Sequence, residues 1–162
     1  MDEANVRKLK SSDGAEFEVE EKILASNDFF KDLFKDFTNP DEVINVNQVD
    51  GKNLQKIIDY LKHYGTETEK PKVIPKPLPS NDLKNFVNEW DYNFIHPLTI
   101  EECIDLINAA NFLNVSDLVT LVAARLASDM MTGTVEEVRE RFGIKPDMTE
   151  EEMEEYDRYP LD

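Results

Sequence analysis

The sequence has little of what enzymes use for chemistry. Among its 162 residues there are one cysteine and two histidines, so that, apart from its many carboxylates, candidate nucleophiles, bases and metal ligands are few. His63 and His96 are far apart in the sequence, and neither belongs to a cluster with metal-ligand spacing. No glycine-rich loop that could cradle a phosphate group occurs. We therefore expect surface or capping roles for both histidines, and no catalytic site, metal or cofactor.

A single cysteine also limits the covalent structure. Cys103 cannot form an internal disulfide, which agrees with a reducing compartment. It falls on the apolar stripe of a predicted helix, together with Ile100, Ile104 and Ile107. This position favours a small buried packing residue over a reactive thiol.

Long apolar runs and positive charge are scarce as well. No run of about 18 apolar residues is available to cross a bilayer, and the first residues lack the apolar segment of a signal peptide. The 18 lysines and arginines against 35 aspartates and glutamates give a net charge of −17. Such a chain repels phosphate backbones and anionic lipids. We expect a cytoplasmic or nuclear protein whose partners are proteins, rather than nucleic acid or membrane.

Strands and helices alternate over residues 1–66. Apolar residues alternate on both sides of the turn-forming segment 11–14, which predicts a β-hairpin. Ser26 is expected to cap a helix, Val43–Val46 to form a third strand, and the Asp50-Gly51 break to precede a second helix. The apolar faces of these helices are Phe30, Leu33, Phe34 and Phe37, and then Leu54, Ile57, Ile58 and Leu61.

A proline-rich segment separates the two halves of the sequence. Residues 65–80 contain four prolines and show no helical periodicity, so we expect an extended connection that is poorly ordered over about 67–79.

The second half is predicted to be helical. Three Thr-x-x-Glu capping boxes and one capping serine predict helices that begin near Thr99, Ser116, Thr134 and Thr149. Gly143 stands where the third of these helices would end in a left-handed residue. The acidic run 150–155 lacks the ligand pattern of a calcium loop and suits a solvent-facing helix.

Large apolar residues are abundant in the last helices, among them Met130, Met131, Phe142, Met153 and Tyr159. They suit either a local core or a groove for a partner helix, and the residues alone leave both interpretations open.

Four sequence stretches together resemble a known family. LKSSDGAEFEVE, NEWDYNF, DLINAANFLNV and GTVEEVRERFGIKPDMTEEEME are similar, in the same order, to landmarks of the Skp1 family. The resemblance runs from about Leu9 to Met153. Elongin C and the potassium-channel tetramerisation domains share part of this pattern, but Elongin C lacks the extension beyond residue 128, and the channel domains lack the EEVRERF and TEEE stretches.

The resemblance implies an α/β (α+β) domain of the BTB/POZ type with a C-terminal two-helix extension. The implied divisions are a BTB/POZ N-terminal half at 1–66, a flexible linker at 67–80, BTB/POZ C-terminal helices at 81–127 and an F-box-binding extension at 128–162. It also implies a non-catalytic adaptor that links F-box substrate receptors to a cullin in an SCF-type E3 ubiquitin ligase. The alternative is a structural subunit that pairs with an F-box protein in a non-ligase assembly.

The resemblance further implies two binding faces. The cullin face would contain Asn111, Phe112 and Asn114. The F-box face would contain Leu118, Leu121, Val122, Leu126, Met130, Val138, Phe142, Ile144, Met148 and Tyr156. We expect residues 134–159 to order fully only against a partner, and joint exposure of Asn111 and Phe112 would favour the adaptor over the structural subunit. The sequence departs from the family at Asn108, where an aliphatic residue is usual.

Overall fold

The computed structural model of the protein describes residues 5–66 and 70–144. The chain divides into two compact units, Met1–Met131 and Thr132–Asp162. The strands of the described ranges are β1 (Val6–Ser11), β2 (Glu16–Glu20) and β3 (Val43–Val46). The α-helices of the same ranges are α1 (Glu21–Leu24), α2 (Asp28–Asp36), α3 (Gly51–Thr66), α4 (Glu89–Ile95), α5 (Ile100–Phe112), α6 (Ser116–Met130) and α7 (Val135–Phe142).

The three strands form a sheet in the order β2-β1-β3. β1 and β2 are antiparallel and form the predicted hairpin, whereas β3 pairs with β1 in parallel after the crossover through α1 and α2. Leu9 lies opposite Phe17 on one side and Ile44 on the other, and it is completely buried. The predicted hairpin and third strand are confirmed.

The hairpin turn is joined to the start of α3. The Asp13 carboxylate accepts a hydrogen bond from the Gly51 backbone nitrogen at 2.9 Å and another from the Ser11 hydroxyl. A Cβ atom added to Gly51 would lie 2.8 Å from the Cβ of Ala15, which is closer than a side chain can approach. The Gly51 position therefore requires glycine for this close contact.

The apolar faces of α2 and α3 pack into the core as predicted. Leu54, Ile57 and Ile58 are buried, and Phe30 is the buried residue of α2. The predicted cap of α2 is wrong by one residue. Asn27 is the N-cap, and Ser26 instead donates its hydroxyl hydrogen to the Ile23 carbonyl oxygen at 2.6 Å.

Two of the predicted helices in the second half of the first unit are present. The Thr99 and Glu102 capping box is confirmed at the start of α5. α6 begins at Ser116, but its N-cap is Val115, and no described side chain caps it, so the predicted cap role of Ser116 is wrong.

The short helix α4 and a 3-10 turn at Leu83–Asn85 are additional to the predicted elements. The aromatic residues Trp90, Tyr92 and Phe94 occupy every second position of α4. This spacing is typical of strands, so the sequence pattern did not predict the helix of seven residues that is present.

The proline-rich segment is irregular where the structure describes it, over 70–80. Ile74 is half-buried against the core, whereas Val73 is exposed. The Asn88 side chain also donates a hydrogen bond to the Lys70 carbonyl oxygen at 2.8 Å. The segment thus lacks helix and strand but contacts the domain in places. Residues 67–69 lie outside the described residues, and the expected poor order stays a prediction.

The second unit contains α7. Its Thr134 and Glu137 capping box and its left-handed C-cap at Gly143, with φ of 65°, are both as predicted. The eight residues of α7 include none that is buried. The predicted helix that begins near Thr149, the acidic run 150–155 and most of the segment 134–159 lie outside the described residues.

Candidate protein-binding surface

The C-terminal end of α5 has a well-defined backbone geometry. The Val115 nitrogen donates to the Ala110 carbonyl oxygen at 2.9 Å, and the Asn114 nitrogen donates to the Asn111 carbonyl oxygen at 3.2 Å. This pair of hydrogen bonds is the Schellman motif, which needs a left-handed residue just after the helix. Asn114 supplies it with φ of 56°, so this residue shapes the end of α5 in addition to being exposed.

The side chain of Asn27 binds the same C-terminal end of α5. Its side-chain nitrogen donates to the carbonyl oxygen of Leu113 at 2.9 Å, while its side-chain oxygen accepts from the Phe30 nitrogen at 3.2 Å. One buried amide therefore caps α2 and satisfies a terminal carbonyl of α5. The position of residues 111–114 is fixed relative to α2.

Asn111 and Phe112 are exposed together at this end of α5. Phe112 is 38% exposed, and its ring centroid lies 5.6 Å from that of the half-buried Phe29. The prediction that Phe112 lies at the surface is confirmed. An aromatic side chain that is packed at its base and open at its tip is a typical anchor for a protein partner.

The exposed face of α5 continues from Phe112 toward the helix N-terminus. Ile104 is 40% exposed, although its sequence position suggested the apolar stripe, and Asp105 and Asn108 are exposed beside it. Residues three, four and seven apart share one side of a helix. The face therefore combines two apolar groups with polar and acidic ones, and Ile104 and Phe29 are candidate contact residues that the sequence did not reveal.

A groove of about 460 Å³ lies along this face. We call it the α5 groove and define it by the lining residues Ser12, Gln48, Val49, Asp50, Asn53, Asp105, Asn108, Ala109 and Phe112. The hairpin turn, the loop before α3, the first turn of α3 and the outer side of α5 all contribute. Its lining is mostly polar, and Val49, Ala109 and Phe112 are its apolar residues.

Three residues predicted for the F-box face are core residues instead. Leu118, Leu121 and Val122 are completely or almost completely buried, because their spacing places them on the side of α6 that packs inward. In this conformation they do not reach the surface, and their contact with a partner stays a prediction. Leu126 is half-buried against the same core, whereas Met130 is 50% exposed.

The remaining predicted F-box residues belong to the second unit. Val138 and Phe142 of α7 are half-buried, and Ile144 is exposed. Val138, Phe142 and the exposed Val135 give α7 an apolar side, which can contribute to a partner interface, and Ile144 follows just after the helix. Met148 and Tyr156 lie outside the described residues.

The cysteine and the two histidines, which were the candidates for catalysis, have packing or capping roles. Cys103 is completely buried, and this burial raises the pKa of its thiol, so the predicted packing role is confirmed. His96 is the C-cap of α4, and the His63 ring stacks on Trp90 at a centroid distance of 4.0 Å. Within 5–66 and 70–144, no three His, Cys, Asp or Glu side chains converge to hold a metal. No helix of those ranges is long and apolar enough to cross a bilayer.

Comparison with known families matches both parts of the chain. The family model described as the Skp1 family tetramerisation domain matches residues 5–66, and the Skp1 family dimerisation domain matches residues 116–158. The S-phase kinase-associated protein 1 homolog of Tetrahymena thermophila is 30% identical over 153 residues, which cover 94% of this chain and 90% of that protein. The chain belongs to the Skp1 family. Its α/β architecture is accordingly of the BTB/POZ type.

Plant relatives extend the similarity over most of the chain. SKP1-like protein 1A of Arabidopsis thaliana is 36% identical over 152 residues, covering 93% of this chain and 91% of the relative. SKP1-like protein 3 of the same plant is 35% identical over 153 residues, covering 91% and 88%. Membership of the Skp1 family supports an adaptor role in general and agrees with a chain that performs no catalysis.

Proposed function

We propose that this protein is a non-catalytic adaptor that links F-box substrate receptors to a cullin in an SCF-type E3 ubiquitin ligase. The observation that carries the proposal is the joint exposure of Asn111 and Phe112 on an α5 end that is fixed by Asn27 and Asn114. A rigid, half-exposed aromatic group requires little ordering when a partner binds. This end of α5 is the proposed cullin face.

The proposed F-box contacts occur in each unit separately, at the exposed end of α6 in the first unit and on the apolar side of α7 in the second. Met130 and Met131 are exposed at the end of the first unit, and thioether side chains adapt readily to a partner surface. Val135, Val138, Phe142 and Ile144 supply further apolar groups from the second unit. An amphipathic helix of an F-box protein is an occupant of suitable chemistry.

The proposal is tested by removing the cullin face while the F-box face is kept. The double variant Asn111→Lys with Phe112→Ala should abolish pull-down of a cullin N-terminal domain, because it removes the aromatic anchor and adds a long charged side chain beside it. Binding of an F-box protein should not change. Asn93→Lys on the exposed side of α4 is a matched control for the added charge and should bind both partners.

Binding measurements with both a cullin and an F-box protein also distinguish the proposed adaptor from a structural subunit of a non-ligase assembly. A structural subunit of a non-ligase assembly would bind an F-box protein but no cullin, and the exposed Asn111 and Phe112 pair favours the adaptor. Loss of both partners in the double variant would point to unfolding, which circular dichroism would reveal. The proposal includes a cytoplasmic or nuclear location, which imaging of a fluorescently tagged chain would test.

A further inference from the structure

An apolar pocket lies between the proline-rich segment and α6. Its described lining residues are 74–78 from the segment and Ala123, Ala124 and Ala127 from α6, and we call it the α6 pocket. All of these residues belong to the first unit. The volume of about 270 Å³ is slightly below the range of roughly 300–1,000 Å³ found for small-molecule sites. The space therefore suits one large side chain better than a cofactor or a substrate.

Both walls of the α6 pocket are apolar because of their residue types. Pro75 and Pro77 have no backbone N–H group, so this part of the segment offers few donors that would hold water. The three alanines end at Cβ and leave open the space that a larger side chain would fill. Lys76 is the one charged residue among the described lining residues, and it is exposed. Such a pocket favours an apolar occupant over a polar or charged one.

The proline-rich wall is attached to the rest of the first unit. Ile74 packs against the core, whereas its neighbour Val73 is 94% exposed. Leu78, at the other end of the wall, is half-buried. The carbonyl oxygen of Lys70, just before the wall, accepts the hydrogen bond from Asn88. A wall with these contacts loses less conformational freedom when a partner binds than an unattached loop would lose.

The α6 pocket is continuous with the exposed end of α6. Ala123, Ala127 and Met130 follow one another at intervals of four and three residues, so they share one side of the helix. Ala123 and Met130 are exposed, and Ala127 is half-buried. All of α6 also falls within residues 116–158, which match the dimerisation domain of the family. The pocket therefore adjoins the proposed F-box contact at Met130.

Charge favours a different protein over a second copy of this chain as the occupant. Each copy has a net charge of −17, and two such copies repel each other. We propose that the α6 pocket receives one large apolar side chain of the F-box protein that docks on Met130. The inference rests on the proposed function, and it adds residues 74–78 of the proline-rich segment to the F-box contacts.

The first test fills the pocket from the side of α6. Ala123→Leu should weaken binding of an F-box protein by about tenfold, a loss expected when the anchor of an interface is displaced, as measured by calorimetry. Asn93→Leu is the matched control, because it adds the same side chain at an exposed position of α4 that does not line the pocket. Equal affinities of Ala123→Leu and the wild type would overturn the proposal, even while Met130→Ala weakened binding and the proposed function stood.

The second test changes the proline-rich wall. Ile74→Ser removes an apolar lining residue and should weaken F-box binding several-fold. Val73→Ser makes a similar change at the neighbouring residue, which is exposed and does not line the pocket, and it should leave the affinity unchanged. Equal effects of the two variants would contradict a role of the wall in binding. Thermal denaturation checks that Ile74→Ser is folded, and Ala123→Leu decides the case in which it is not.

A third experiment identifies the partner residue. Each large apolar side chain on the F-box helices is changed to alanine and measured against both the wild type and Ala123→Leu. One of these changes should lower the affinity for the wild type and lower it little further for Ala123→Leu, because both remove the same contact. Additive losses for every partner side chain would show that none of them enters the pocket.

Light scattering on the free protein tests a second copy as the occupant. The wild type and Ala123→Leu should have the same mass over a range of concentrations. A dimer of the wild type that Ala123→Leu dissociates would overturn the proposal and identify a second copy of this chain as the group that covers the pocket.

Discussion

Asn27 joins two helices that are distant in the sequence. Its amide caps α2 through the Phe30 nitrogen and binds the Leu113 carbonyl oxygen across 86 residues of sequence. The cap alone follows from local sequence rules, since asparagine is a preferred N-cap. The second hydrogen bond does not, because no local pattern pairs residue 27 with residue 113. The same amide therefore contributes both to the stability of α2 and to the placement of the proposed cullin face.

One substitution distinguishes the two roles of Asn27, because it replaces only the side-chain nitrogen. Asn27→Asp keeps an oxygen that accepts from Phe30 but replaces the donor to Leu113 with a carboxylate oxygen. We expect the free energy of unfolding to fall by about 1–3 kcal/mol, because a buried carbonyl loses its donor and faces a negative charge. Urea denaturation measures this change. Ser26→Ala is the control, since Ser26 bonds only locally to Ile23; equal stability of Asn27→Asp and the wild type would contradict the role of the Asn27 side chain in joining the two helices.

Glu102 makes a second connection, between α3 and α5, that depends on pH. Hydrogen bonds from Lys52, then Lys56, and then from the Thr99 backbone lower the pKa of Glu102 to about 2 from an ordinary value of 4.5. Because the pKa is lowered in the folded state, the stabilisation is fully present above pH 4.5 and is lost as the pH falls toward 2.

The expected outcome concerns the difference between wild type and Glu102→Gln. The thermal midpoint of the variant should be lower than that of the wild type at neutral pH, and the difference should narrow between pH 4.5 and 2 as the wild-type carboxylate is protonated. Scanning calorimetry across this range measures it. Glu101→Gln, which removes a neighbouring charge, should show no such narrowing; a constant difference for Glu102→Gln would mean that the ion pairs with Lys52 and Lys56 contribute nothing.

At the scale of the secondary-structure elements, the sequence predicted the features that depend on residues close together in the chain. The hairpin, the faces of α2 and α3, and the capping boxes at Thr99 and Thr134 depend on neighbours within a few residues. The helix α4 was not predicted, because its aromatic residues occupy every second position, as on one face of a strand. The burial of Leu118, Leu121 and Val122 within the first unit was not predicted either, because an apolar stripe shows that a helix buries one face but does not show what covers it.

The α5 groove could not be predicted for a related reason. Its lining residues come from the hairpin turn, the loop before α3, the first turn of α3 and the outer side of α5, which are brought together only by the packing of those elements. Asn108 was visible in the sequence as a departure from the family, and Asn111 and Phe112 were visible as a family motif. That Asn53 and Asn108 line the same groove was not visible, since neither residue lies in a sequence pattern that includes the other.

Two substitutions in α6 distinguish residues that stabilise the core from residues that contact a partner. Leu121→Ala removes a side chain that is 2% exposed and should lower the free energy of unfolding by about 2–5 kcal/mol. Met130→Ala changes a side chain that is half exposed and should alter that energy by no more than about 0.5 kcal/mol, yet it should weaken F-box binding. Denaturation and a binding titration on both variants measure the two effects. Loss of F-box binding by a fully stable Leu121→Ala protein would identify Leu121 as a contact residue.

At the scale of the whole molecule, charge influences the choice of partner. A net charge of −17 produces a negative potential that attracts basic protein surfaces and speeds their encounter at low salt. The α5 groove contains Asp50 and Asp105 and so has the same sign as the molecule, and the long-range field and the groove would act in the same direction on a basic partner surface.

The last prediction concerns α7, the helix of the second unit. It has eight residues, none of them buried, and isolated helices shorter than roughly 12–15 residues are marginal in water. Each large side chain that a partner buries contributes on the order of 1.5–3 kcal/mol, and Val138 and Phe142 are such side chains. Docking of an F-box helix should therefore supply stabilisation that α7 lacks by itself.

Hydrogen exchange measures this coupling directly. The backbone amides of residues 138–142 should exchange quickly in the free protein, because local opening of α7 exposes no core, and they should become protected when an F-box peptide is added. The amides of α3, whose apolar side is buried, serve as an internal control and should be protected under both conditions. Strong protection of residues 138–142 without a partner, unchanged when the peptide is added, would instead mean that α7 is stabilised within the free chain.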